Sequence, residues 1–124
     1  MFDLYWAEDG GVPPGDRGLA YGDGLFETIA IMGGKASLLG YHLDRMVRDA
    51  GRLAIPVARP ELEAACARAL ERYSGLYPSL NWVLKLTLTR GSGGRGYRPE
   101  PRMKPSLIVS HSAFPSVPGP EGVV

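Results

Sequence analysis

Residues 25–39 read LFETIAIMGGKASLL, and two periods meet inside them. Over 25–32 the chain alternates, with Phe26, Thr28, Ala30 and Met32 on one face and Leu25, Glu27, Ile29 and Ile31 on the other. That is the period of a β-strand. Gly33-Gly34 suits a two-residue hairpin turn, because glycine reaches positive φ without steric cost. The segment KASLL (35–39) then returns as the partner strand. From Leu39 the spacing becomes helical: Leu39, Leu43, Met46, Ala50 and Leu53 form one stripe and predict an amphipathic helix over 39–53.

Working outward, a second helix starts at Pro60, a residue suited to the first helical turn, with Glu61 and Glu63 near the positive end of the dipole. Leu62, Cys66, Ala69 and Tyr73 make its buried stripe, which reads Cys66 as a small core residue rather than a nucleophile. Alternation returns in LNWVLKLTLTR (80–90), with Leu84, Leu86 and Leu88 inward and Lys85, Thr87 and Thr89 opposite. In SLIVSHSAF (106–114), Ile108, Ser110, Ser112 and Phe114 share one face. With FDLYWA (2–7) as a first strand, the order is β-β-β-α-α-β-β. This predicts an α+β fold, an antiparallel sheet with two helices packed on it. The end, PSVPGPEGVV, reads as a Pro/Gly linker, so the expected division is a domain over 1–117 and a linker into a further domain over 118–124.

Composition narrows the class. The chain has 124 residues, and 14 basic against 13 acidic side chains leave no bulk field to attract nucleic acid or a membrane. A lone cysteine excludes an internal disulfide and fits a reducing compartment. The start carries no basic, apolar leader and no stretch is apolar enough to span a bilayer, so the expected location is cytoplasmic. No metal-ligand set is assigned.

Residues 90–97, RGSGGRGY, have the composition of an anion-holding loop. A phosphate loop would need a Lys-Ser/Thr and a helix after the glycines, and a dinucleotide fingerprint would also need the helix. Here a strand follows. An RNA-binding arginine-glycine segment would be repeated, and this is one copy between firm strands. The loop reads as an arm that carries Arg forks and a Tyr hydroxyl to a carboxylate ligand.

Three segments in order, DRGLAYGDGLFET (16–28), LLGYHLDRM (38–46) and RGSGGRGY (90–97), resemble the fold-type IV pyridoxal-phosphate enzymes. Within that group the third segment is most similar to the 4-amino-4-deoxychorismate lyases, which release p-aminobenzoate and pyruvate for folate synthesis. The resemblance spans about residues 2–118. It implies the small N-terminal domain of such an enzyme, working as a homodimer on a dicarboxylate substrate, with pyridoxal 5'-phosphate as cofactor. It assigns Arg45 to the cofactor phosphate. Phe26, Thr28, Ser112 and Phe114, with Ser110 beside them, line the substrate cavity. Phe26 stands where the aminotransferases tend to carry Tyr, and Phe114 where the lyases can carry Tyr. Arg95 and Tyr97 match residues that reach into the neighbouring subunit to hold a substrate carboxylate. Asp16, Arg17, Gly22, Asp23 and Gly24 are implied to be structural.

The resemblance places the Schiff-base lysine in a second domain beyond this chain. Of Lys35, Lys85 and Lys104, the first sits at a hairpin, the last in a loop, and only mid-strand Lys85 merits notice. The expectation is a chain with no catalytic residue of its own, inactive alone. Two other readings stay open: an amino-acid aminotransferase of the same group, and a carboxylate-binding domain without catalysis.

Overall fold

The computed structural model describes residues 1–93 and 103–114. In chain order they form β1 (Asp3–Trp6), α1 (Arg17–Tyr21), β2 (Gly24–Met32), β3 (Lys35–Ala36), α2 (Leu39–Arg52), α3 (Arg59–Tyr73), β4 (Trp82–Thr89) and β5 (Ser106–Ala113). One five-stranded sheet has the order β1-β5-β4-β2-β3. All neighbours are antiparallel except β1 and β5, which run parallel with Asp3 opposite Ser106 and Trp6 opposite Val109. The α+β expectation stands, amended to a mostly antiparallel sheet. Pairing of the first strand with the last is non-local, and alternation within either strand carries no record of its direction.

Alternation decides which face is covered. Ile29, Ile31, Leu84, Leu86, Leu88, Leu107 and Val109 point from the strands into one cluster with Leu43, Met46 and Ala50 of α2 and Leu62, Cys66 and Ala69 of α3. Fully burying a side chain of this kind stabilises by about 1.5–3 kcal/mol, so this layer holds the domain together. Burial, with Glu63 adding to it, pushes the Cys66 thiol up to about 11, as fits a core thiol.

Three local expectations shift. The partner strand expected over 35–39 stops at Ala36, because Leu38 turns left-handed at φ 56° immediately before α2. Leu53, the expected end of the α2 stripe, lies outside the helix and is exposed. Ile55 fills the core instead, after a left-handed Ala54 at φ 56°. A five-residue helix, α1, stands between β1 and β2, where no helix was expected. Five residues are too few to show a helical period.

Candidate active site

The face of the sheet away from α2 and α3 is covered among the described residues only at one end, where α1 packs over Thr89. Cross-strand register sets its side chains in rows: Phe26, Thr87, Ile108 and Tyr5, then Thr28, Lys85 and Ser110, then Ala30, Val83 and Ser112. Phe26 is 60% exposed and so is not core, and Phe114, one residue past β5, is also exposed. The Lys85 ammonium sits 4.6 Å from the centre of the Phe26 ring, a cation held over an aromatic face. Three of the sequence-assigned residues, Phe26, Thr28 and Ser112, thus share one surface, and Phe114 follows at the end of β5. Between that surface and α1 lies a groove of about 290 Å³, lined by Leu19, Leu25, Phe26, Thr87 and Ile108.

The turn that carries α1 is tied to the root of the glycine-rich loop. Asp16 is wholly buried; its carboxylate caps α1 through Gly18 N at 2.8 Å and accepts from Thr89 Oγ1 at 3.0 Å. Gly22 closes α1 in the left-handed region at φ 65°. Asp23 Oδ2 then accepts from Arg17 Nε at 3.1 Å and Arg90 Nε at 2.7 Å. Burial alone would raise the Asp23 pKa, but the bonds from Arg90 and Arg17 and their charge hold it below the ordinary range. Arg90 also donates to the Leu53 carbonyl at 2.6 Å. Gly91 has φ 97°, and a Cβ there would collide with the Lys104 carbonyl. The reading of the loop as a carrier of Arg forks is corrected at its first arginine: Arg90 is a strut within the fold. Arg95 and Tyr97 lie outside the described residues, as does the expected boundary at 118.

Arg45 stands on the other side of β2, at its edge. Glu27, pointing inward by alternation and 4% exposed, accepts Arg45 Nε on Oε2 at 2.8 Å and Arg45 Nη2 on Oε1 at 2.7 Å. His42 Nδ1 lies 2.6 Å from the same Oε1 and must carry the proton, since a carboxylate has none to give. Burial raises the Glu27 pKa, but the bonds and charges of Arg45 and His42 outweigh it and hold the carboxyl below its ordinary range. Arg45 Nη1 donates to Tyr41 Oη at 3.1 Å. Of the five guanidinium donors, these bonds leave one on each terminal nitrogen. That pair fits two oxygens of one phosphate.

β3 pairs only with the end of β2, so the earlier part of β2 has a free outer edge among the described residues. The Ala30 carbonyl points outward, accepting from Ser37 N. By strand parity the backbone groups of Thr28 and Phe26 point outward too. A ligand lying across this edge can meet Arg45 on one side and Thr28 and Phe26 on the other.

Sequence reasoning missed Glu27 and His42 as partners of Arg45 and weighed Lys85 only as a covalent lysine. Alternation does put Lys85 on the face of Thr87, and the register of β2 against β4 was the missing step. Among the described residues no cluster of His, Cys, Asp and Glu is placed to hold a metal, and no helix is long and apolar enough to cross a membrane.

Strand order, an open face and an anion-ready arginine at the sheet edge together define a class. The chain belongs to the amino-transferase class IV family, which residues 24–123 match. An aminodeoxychorismate lyase of Vibrio harveyi is 35% identical over 107 residues, 85% of this chain and 37% of that protein. The crystal structure of 4-amino-4-deoxychorismate lyase from Pseudomonas aeruginosa is 41% identical, with a TM-score of 0.74 over 88% of this chain and 38% of its own. A hypothetical aminotransferase from Mycobacterium tuberculosis, solved in a PLP-bound form, is 26% identical with a TM-score of 0.72, over 86% of this chain and 35% of its own. The chain thus spans well under half the length of these relatives.

Proposed function

We propose that this chain is the N-terminal domain, over 1–117, of a pyridoxal-phosphate lyase that splits 4-amino-4-deoxychorismate into p-aminobenzoate and pyruvate. The supporting observation is the open face: a cation, Lys85, backed by Phe26 and flanked by Thr28, Ser110 and Ser112. Such a platform suits a polar, carboxylate-bearing ring better than an aliphatic amino acid. The likeness to two lyases at 35% and 41% identity supports the same reading. Arg45 would hold the cofactor phosphate through its two remaining donors. When bound, the cofactor supplies an electron sink at the amino-bearing carbon. Overall, that carbon loses its proton, the bond from the ring to the enolpyruvyl oxygen breaks, and the ring becomes aromatic. The released enol takes up a proton to become pyruvate, so substrate and products balance. Lys85 and the hydroxyls bind and orient the carboxylates, and Phe26 shields the ring from water.

The covalent lysine is proposed to come from a second domain, as the family resemblance implies. Arg95 and Tyr97 are proposed to serve the partner subunit of a homodimer, and the protein to be cytoplasmic. The test is an assay of the full-length protein with aminodeoxychorismate. Release of p-aminobenzoate and pyruvate without an amino acceptor supports the lyase. Amino transfer between an amino acid and 2-oxoglutarate with no p-aminobenzoate would favour the second reading, an aminotransferase like the M. tuberculosis relative. Mixing an Arg95→Ala protein with a variant lacking the covalent lysine tests the dimer. Recovery of activity in verified heterodimers is expected, and none would show that the loop serves no neighbouring site.

A further inference from the structure

We infer that Glu27 and His42 act as positioning residues for Arg45, holding its guanidinium so that its two unengaged donors are presented together to a phosphate. The inference rests on the reading of Arg45 as the phosphate-binding residue and goes beyond it. A free arginine has several torsions between its backbone and its charge, and ordering them weakens binding. Here that ordering is done beforehand. Glu27 is set by β2 and buried against α2, so its two oxygens form a fixed fork. They grip Arg45 along its Nε–Nη2 edge at 2.8 and 2.7 Å, which fixes both the plane and the roll of the guanidinium. His42, one helical turn before Arg45, donates to Glu27 Oε1 at 2.6 Å and stops the carboxylate from rotating. Tyr41, with its ring 5.0 Å from the guanidinium carbon, supports the outer side. Among the described residues these bonds leave one donor on each terminal nitrogen unengaged.

Glu27 could act in a second way, and the two ways differ in sign. Its negative charge repels a phosphate dianion. If charge were its whole effect, Glu27→Gln would tighten phosphate binding. If it positions Arg45, the amide keeps only one acceptor, the guanidinium loosens, and binding weakens. The experiment uses the full-length protein stripped of cofactor, titrated separately with pyridoxal 5'-phosphate and with pyridoxal. The ratio of the two affinities isolates the phosphate contact, and a merely structural role would lower both alike. The expected result for Glu27→Gln is a loss of about tenfold in that ratio, with pyridoxal changed less than about twofold. His42→Gln, which removes one bond of three, is expected to lower the ratio less and serves if Glu27→Gln does not fold. An unchanged or raised ratio in these variants, with Arg45→Ala lowering it, would overturn the positioning role alone. An unchanged ratio in Arg45→Ala would overturn the assignment of Arg45 and the inference with it.

Discussion

On β2, Ile29 is wholly buried while Phe26, three residues earlier, is 60% exposed; on β4, Leu86 is wholly buried and its neighbour Lys85 faces out. The same strands thus build two different surfaces. On the covered side the inward positions are apolar except Glu27, which has three donors, and His111, which lies opposite Leu84 and meets Tyr77 Oη at 2.6 Å. On the open side polar and aromatic residues stand in register with only α1 over one end among the described residues. Monomeric proteins seldom leave exposed aromatics grouped beside a cation without a use for them. The covered face carries stability, and the proposed function assigns the chemistry to the open face, with Arg45 and Glu27 at the edge where they meet.

The sharpest way to break that division is to truncate one residue on each face of the full-length protein. Leu86→Ala removes a wholly buried side chain from the centre of the sheet and should lower unfolding free energy by about 2–5 kcal/mol. Phe26→Ala should cost no more than about 1 kcal/mol, and its effect should fall on substrate binding. Denaturant midpoints at unchanged slope report both. Equal losses would mean that Phe26 is packed as tightly as Leu86 and that the two faces do not differ.

At the edge, Arg45→Ala removes the guanidinium while leaving the hydrophobic core intact. Affinity for pyridoxal phosphate should fall about ten- to a hundredfold, the scale of a charge-assisted bond. Spectroscopic titration measures it, and unchanged affinity would take Arg45 out of the site.

The covered face was the more legible of the two. Leu84, Leu86 and Leu88, and the stripe Leu62, Cys66, Ala69 and Tyr73, are buried where their periods put them, because burial and period are both local properties. The open face was legible only as a list of outward positions. Knowing that Lys85 lies opposite Thr28 and Ser110 requires the register of three strands, and register is set by contacts between residues far apart in sequence. Glu27 and Arg45, eighteen residues apart, meet only because α2 folds back over β2. Arg90 misled for the same reason: an arginine in a glycine-rich segment looks like a ligand-binding group until Asp23 and the Leu53 carbonyl come to it from elsewhere.

A smaller effect sharpens the open side. Lys85→Gln keeps length and a hydrogen bond but removes the charge over Phe26. Substrate KM should rise about three- to tenfold, with cofactor affinity and stability nearly unchanged. If kcat fell and KM held, Lys85 would be acting on the reacting atoms rather than holding a carboxylate.

The smallest expected effect concerns pH and belongs to the edge. Glu27 has its pKa lowered in the fold: burial opposes this, but the bonds from Arg45 and His42 prevail. A carboxyl lowered by folding adds stability above its unfolded pKa and loses that contribution as pH falls through the folded value. Asp23 shifts in the same direction, through Arg90 and Arg17 against the effect of burial. Acid should therefore weaken the protein progressively below the ordinary carboxylate range. Glu27→Gln cannot titrate, so its stability deficit relative to the parent should be largest near neutral pH. The deficit should shrink as the parent's own carboxyl takes up its proton. Denaturant midpoints for both proteins from about pH 7 to about pH 3 give the curve. A constant deficit across that range would mean that the cost of Glu27→Gln comes from altered packing under β2, and that the charge on Glu27 contributes nothing to holding the edge together.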